Sequence, residues 1–369
     1  MGGLAFASGP EPLHVIRIPA KQYPKLTEQY RKLDKFIIAT SHDIPLTLYE
    51  NVVSPPEVPG KPDHGDIDFL VEKPLSNATT QDTAKALGAV RSVASGGGTS
   101  FAIPYPEHTD TYFQLDVNVC RKETFDFEVV MTSYGDLWHI LGACATRFHL
   151  ALTNSGLYLR MPEIEATHKK DSLLHLTSDP DEMMQFLGLN VEQFKREFET
   201  RDEVFEWATS SRVFRREFFE KETISVKEQR MREKRVMYRV FVMEWLPRAD
   251  HLPRPNQVLS REDIEEVIRK EALTHFHKHE RYTKMLTDHQ QRLLKDSVWK
   301  RIASELPLEG KELGRIMVRL KEKLYWDGER VSFGRPRGEK GMTRVDLDQQ
   351  AVDEIVEWAV EYWREASQE

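Results

Sequence analysis

His64-Gly65-Asp66-Ile67-Asp68-Phe69-Leu70-Val71 is the stretch on which the reading of this chain turns. A strand sends alternate side chains to opposite faces, so Asp66 and Asp68 point one way and Ile67 and Phe69 the other. The run Phe69-Leu70-Val71 carries the strand into a core. Two acids side by side on such a strand are expensive, because each raises the pKa of the other. A divalent cation between them removes that penalty, so a D-x-D pair at a strand start reads as a hard-metal ligand pair. The same spacing also fits a strand edge whose acids simply face water.

Tyr112-Phe113-Gln114-Leu115-Asp116-Val117-Asn118-Val119-Cys120 alternates in the same way, with Gln114, Asp116 and Asn118 on one face. Leu115, Val117 and Val119 take the other. A lone acid inside a strand needs a partner, and a metal held by Asp66 and Asp68 supplies one. G-D-x-D with a following apolar run, and a third aspartate on a later strand, resembles the DNA polymerase β-like nucleotidyltransferases, in a divergent branch. The resemblance implies an α/β (α+β) palm with a mixed β-sheet over residues 1–165. It implies that Asp66 and Asp68 bind two Mg2+ (or Mn2+) ions and that Asp116 completes one metal site and helps activate the nucleophile. The substrate is then a nucleoside triphosphate, with ATP the expected donor, and an attacking hydroxyl displaces pyrophosphate in line. An RNA 3′ end, a small metabolite or a protein side chain would each serve as acceptor.

The family also carries a Gly-Gly or Gly-Ser pair upstream, whose backbone amides approach the phosphates. Gly2-Gly3 is the candidate here, although it stands much farther ahead of Asp66 than the common spacing. Gly65, which opens the G-D-x-D motif, belongs to the same nucleotide side. Lys61 could reach a phosphate, or be a solvated loop lysine. Ser133 falls where the family often contributes to the nucleotide pocket, and helix capping explains it equally well.

Composition narrows the class. With 369 residues, 40% hydrophobic and 30% charged, the chain is long enough for two domains and has ordinary globular make-up. A net charge of -8 argues against a basic nucleic-acid coat while leaving room for a local basic groove. Cys120 and Cys144 suggest no disulfide framework, so an intracellular place, cytoplasmic or nuclear, is expected. No apolar run approaches membrane-spanning length, no membrane partner is expected, and the start does not read as a signal peptide. Phe6 stands where a myristoylation signal wants Ser or Thr.

Outward from the acidic strand, His14 to Pro19 reads as a short strand and Tyr23 to Ile38 as a helix. Ser54 to Asp63, with four prolines, is a stiff loop suited to a site wall. Gln81 to Val93 reads as a helix, and Gly96-Gly97-Gly98 as a turn joining it to a strand rather than a phosphate cradle. Leu137, Ile140, Leu141 and Cys144 form one helical stripe after Ser133, and Leu157 to Met161 a strand.

Residues 166–369 change to long helical patterns, giving a mostly helical C-terminal domain with a proline-broken sub-boundary near 247–259. Asp181 to Leu187, Val191 to Glu199 and Val204 to Phe219 read as helices. Ser211 to Val240 is locally basic, suiting either a polyanion or an ordinary solvated face with interspersed glutamates. His275 and His279 have i,i+4 spacing, but no cysteine or H-E-x-x-H frame accompanies them, so zinc is not expected. Gly334 to Gly341 reads as a loop, and Asp348 to Trp363 as an amphipathic helix. The rival to an enzyme is a catalytically silent nucleotide-binding or scaffold protein on the same fold, favoured by the displaced Gly-Gly and disfavoured by the complete acid triad. A metal-dependent phosphohydrolase is a further rival, and it would need histidines beside Asp66, where only His64 lies.

Overall fold

The computed structural model describes residues 3–8, 11–31, 38–39, 45–46, 48–72, 79–106, 108–220, 226–252, 261–326, 331–333 and 347–366. Two compact units divide it: Met1–Pro162 with Ser172–Lys278, and Glu163–Asp171 with His279–Glu369. The class is mixed α/β, with a five-stranded mixed sheet and a largely helical C-terminal region.

The first unit is built on strands β1 (Val52–Val53), β2 (Asp66–Glu72), β3 (Arg91–Ser95), β4 (Gly98–Pro104) and β5 (Tyr112–Cys120), in the spatial order β1-β2-β5-β4-β3. Only β2 and β5 run parallel; every other neighbouring pair is antiparallel. The alternation read from the sequence is realised, except that Val119 near the end of β5 is exposed rather than in the core. Ile67, Phe69, Val71, Phe113, Leu115 and Val117 share one buried cluster with Phe101 and Ile103. Helix α1 (Tyr23–Arg31) covers that face with Tyr23, Leu26 and Tyr30, and helix α2 (Thr80–Leu87) adds Leu87. Each such buried side chain contributes about 1.5–3 kcal/mol of transfer free energy. On the opposite face, helix α3 (Phe125–Thr132) lays Phe125 over Leu70 and Cys120, which leaves the stretch around Asp66 and Asp68 uncovered by a helix of that cluster.

The expected helix from Gln81 to Val93 is shorter. A capping box between Thr79 and Asp82 starts α2, and Gly88 in the left-handed region (φ 66°) stops it. Arg91–Ser95 is a strand, so Gly96-Gly97 closes a hairpin between β3 and β4 rather than linking a helix to a strand. Gly98 packs against β5 so tightly that a Cβ there would stand 2.6 Å from the Val117 carbonyl oxygen. The helix read from Tyr23 is described as far as Arg31, and residues 32–37 lie outside the described ones.

Helix α4 (Leu137–Ala145) buries the expected stripe of Leu137, Ile140, Leu141 and Cys144. A second, three-stranded antiparallel sheet (Leu150–Thr153, Gly156–Arg160, Leu173–Thr177) follows it. The run read as helix from Val204 to Phe219 divides into helix α5 (Arg201–Thr209), capped by Thr200, and a 3-10 turn at Arg216–Phe219. Helix α6 (Val236–Val240) continues through a wide turn at Phe241–Trp245.

The second unit holds helices His279–Glu305, Gly310–Lys323 and Gln349–Ala366 with the hairpin Leu324–Trp326/Val331–Phe333. Val298, Ile302, Leu320, Val352, Ile355, Val356 and Ala359 form its core. The amphipathic helix expected over Asp348 to Trp363 supplies four of these, Val352, Ile355, Val356 and Ala359. Gly334 to Gly341 lies outside the described residues. Among the described residues, no helix is long and apolar enough to cross a membrane.

Candidate active site

The parallel ladder between β2 and β5 brings the acids together. Asp68 pairs in register with Asp116, and Asp66 with Gln114. With neighbouring strands about 4.8 Å apart, same-face partners in register stand side by side. Three carboxylates from sequence positions up to fifty residues apart therefore gather on one sheet face.

Burial and mutual repulsion are visible in their protonation. Burial pushes the Asp68 carboxyl up to about 8, with the charges of Asp66, Asp116 and Glu57 adding to it and Lys61 offsetting part. Burial also raises Asp66, against a hydrogen bond from the Gly3 amide. Asp116 is raised by burial, while the Ser100 hydroxyl and Gln114 amide pull the other way. Gln114 Nε2 donates to both Asp116 oxygens, at 2.9 and 3.1 Å.

Gly3 stands directly over this strand. Its N–H donates to Asp66 Oδ2 at 3.2 Å. Its φ is +83°, and a Cβ there would lie 2.3 Å from the Gly65 carbonyl oxygen, so only glycine fits this approach. Gly2 lies outside the described residues.

Asp66 and Asp68 also line a cleft of about 690 Å³, walled by the proline-rich loop as the sequence suggested. Gly65 and Lys61 line it; Gly3, Asp116 and Ser133 do not. Lys61 is ion-paired to Glu57, whose Oε2 also lies 3.7 Å from His64 Nδ1. Burial pushes Glu57 up, but His64 and Lys61 more than reverse this and hold its carboxyl down at about 2. The His64 ring stacks on Tyr23 at 3.7 Å between centroids, which fixes the segment just ahead of Asp66. Arg201 from α5 and Lys234 and Arg235 from just before α6 also line the cleft. Arg235 donates to Asp136 at 2.7 Å. Ser133 is buried, and its hydroxyl donates to the Val129 carbonyl at 2.7 Å, so it closes α3 rather than facing the cleft.

Glu57, Gln114 and Arg201 had no role in the sequence reading. Gln114 carried a signal, since it shares the face of Asp116 two residues away. Arg201 carried none. Lys234 and Arg235 belonged to the basic stretch, which now divides: these two meet the cleft, whereas Arg216 bonds the Ala249 carbonyl.

No family model matches the chain, and no curated protein matches it. Among solved structures, the chain is similar to the polymerase beta of Leishmania infantum in its ternary P/T complex. That likeness has a TM-score of 0.33 and 15% identity, and covers 47% of this chain and 74% of the other. The ternary gap complex of the polymerase gives 0.33 and 14%, over 52% and 67%. The likeness is distant.

Whether the residues suit a cation can be judged from their own chemistry. Among the described residues, no three His, Cys, Asp or Glu side chains are placed so that together they could hold a metal ion. The donor set is nevertheless all carboxylate oxygen, which suits a hard divalent cation, and magnesium commonly takes one or two carboxylates and draws the rest from substrate phosphates and water. Three acids with raised pKa values are also the environment that a bound cation relieves.

Proposed function

We propose that the chain is a metal-dependent nucleotidyltransferase, moving a nucleoside monophosphate from a triphosphate to a hydroxyl acceptor. The observation that carries this reading is the parallel register of Asp68 with Asp116, beside Asp66 on the same face. Asp66 and Asp68 would hold Mg2+ or Mn2+, with Asp116 as a further ligand. The cation supplies charge neutralisation on the phosphates and lowers the pKa of the acceptor hydroxyl.

The chain's own residues divide the remaining work. Lys61, Arg201, Lys234 and Arg235 line the cleft together with Asp66 and Asp68, so cations and metal-binding acids share one space, which suits a polyphosphate. Glu57 holds the Lys61 ammonium in place. The Gly3 amide fixes Asp66. Asp116, outside the cleft lining but next to Asp68, is where an acceptor hydroxyl would approach. ATP is the first donor to try; an RNA 3′ end, a metabolite and a protein hydroxyl are the acceptor classes.

The second reading is a catalytically silent nucleotide-binding protein. It is favoured by the placement of the acids, since among the described residues no three such side chains could together hold a metal ion. The two separate experimentally. Titration calorimetry of each nucleoside triphosphate with Mg2+ is expected to show binding that disappears in Asp66→Ala/Asp68→Ala. Transfer of α-phosphate label to an acceptor with pyrophosphate release is expected to be lost in Asp116→Ala. Binding without transfer, unaffected by Asp116→Ala, would establish the silent protein; no binding to any triphosphate would remove both.

A further inference from the structure

We propose that Gln114 is a positioning residue that sets Asp116 for ligation, and that its own orientation is set by the main-chain amide of Ala5. The inference rests on the nucleotidyltransferase reading and assigns a role that this reading does not require.

Gln114 is 4% exposed and sits on β5 opposite Asp66, two residues before Asp116 on the same face. Its Oε1 accepts from the Ala5 N–H at 3.0 Å, and its Nε2 donates to both Asp116 oxygens. A backbone N–H can only donate, and an ionised carboxylate can only accept. One orientation of the amide therefore satisfies both neighbours, and the reverse sets donor against donor and acceptor against acceptor. The Ala5 N–H thus decides which end of Gln114 meets Asp116. Each carboxylate oxygen has more than one acceptor site, so the bonds from Gln114 and from the Ser100 hydroxyl orient the group without saturating it. Together with Gly3, which bonds Asp66, the turn at residues 3–7 reaches two of the three acids, one directly and one through Gln114.

A purely structural account is that Gln114 satisfies a covered turn amide and meets Asp116 incidentally. The turn offers a way to separate the two. Ala7 N–H bonds the Leu4 carbonyl at 3.2 Å, which makes Ala5 the second residue of a β-turn, a position that accepts proline. Ala5→Pro therefore deletes the donor while keeping the turn, and because its ring Cδ takes the place of the amide hydrogen, Gln114 Oε1 must also turn away from residue 5.

The experiment measures Mn2+ binding to the full chain by the electron paramagnetic resonance signal of free Mn2+, with Mn2+ as the only probe, at one fixed pH near neutrality. Wild type is compared with Ala5→Pro, Gln114→Leu, their double variant and Asp116→Asn, each also melted thermally. Loss of an outer partner of a metal ligand typically weakens affinity by about 10–100-fold. Ala5→Pro and Gln114→Leu are each expected to weaken Mn2+ binding by about tenfold, with the double variant no weaker than the weaker single, because both cut one link. Asp116→Asn sets the floor. Wild-type affinity in both single variants, with weak binding in Asp116→Asn, overturns the positioning role alone, whatever the melting temperatures do. Additive losses overturn the link between Ala5 and Gln114. Wild-type affinity in Asp116→Asn overturns the use of Asp116 in the functional reading, and this inference with it.

Discussion

Asp68 is the residue at which the physical chemistry of the site is most exposed to measurement. Its carboxyl is pushed from 3.8 up to about 8, first by burial and then by the charges of Asp66, Asp116 and Glu57. Between about pH 4 and about 8 the native chain keeps a proton there that the unfolded chain has released. Stability therefore falls as pH rises through that window, by up to about 1.4 kcal/mol per pH unit, and levels off above it. Denaturant midpoints across the window are expected to fall in wild type and to flatten in Asp68→Asn, with Mg2+ restoring wild type most at the alkaline end. Parallel curves for the two proteins would remove Asp68 as the source. The acids themselves were legible in the sequence because strand period two puts Asp66 with Asp68, and Gln114 with Asp116, on common faces. What joins them was not legible. The bond from Ala5 to Gln114 spans 109 residues, and no local pattern encodes a contact between a turn amide and a distant strand.

At the scale of elements, the segment from Tyr134 to Asp136 ties three parts of the first unit together. Tyr134 and Gly135 both have positive φ, at 58° and 62°. The Tyr134 N–H donates to the Pro56 carbonyl of the proline-rich loop at 2.7 Å. Asp136 accepts from Arg235 Nη1 at 2.7 Å and from the Tyr238 N–H in the first turn of α6 at 3.4 Å. A carboxylate at that helix end satisfies an orphan donor and holds Arg235 beside the cleft. Asp136→Ala is expected to cost about 1–3 kcal/mol and to speed amide exchange at Tyr238 and its neighbours while β2 stays protected. On the proposed function triphosphate binding would weaken with it, since Arg235 loses its anchor; unchanged exchange in α6 would show that Asp136 does not hold it. Element reading succeeded where one period ran long, as in the stripe on α4. It failed at α2, where Gly88 was the available stop signal and the apolar residues beyond it belonged to β3. It could not divide the basic stretch, because mixed charges at helical spacing look the same on a solvated face and on a cleft wall.

For the molecule as a whole, the two units each bury a core of their own. In the first, the cluster under Ile67, Phe69 and Phe113 supports the strands that carry the acids. In the second, Ile355, Val356 and Ala359 of the last helix pack with Val298, Ile302 and Leu320, all fully buried. A ligand stabilises only the species that binds it, so on the proposed function Mg2+ with a triphosphate would act on the unit that contains Asp66 and Asp68. Truncating Ile355 to alanine removes buried apolar volume from the other unit, at a cost of about 2–5 kcal/mol. Calorimetry of wild type and Ile355→Ala, each with and without Mg2+ and ATP, is expected to resolve two transitions. The ligand raises one, the substitution lowers the other, and ATP affinity at low temperature is the same in both proteins. A single transition that moves under both perturbations would instead mean that the chain melts cooperatively, and that packing around Ile355 contributes to the stability of the site.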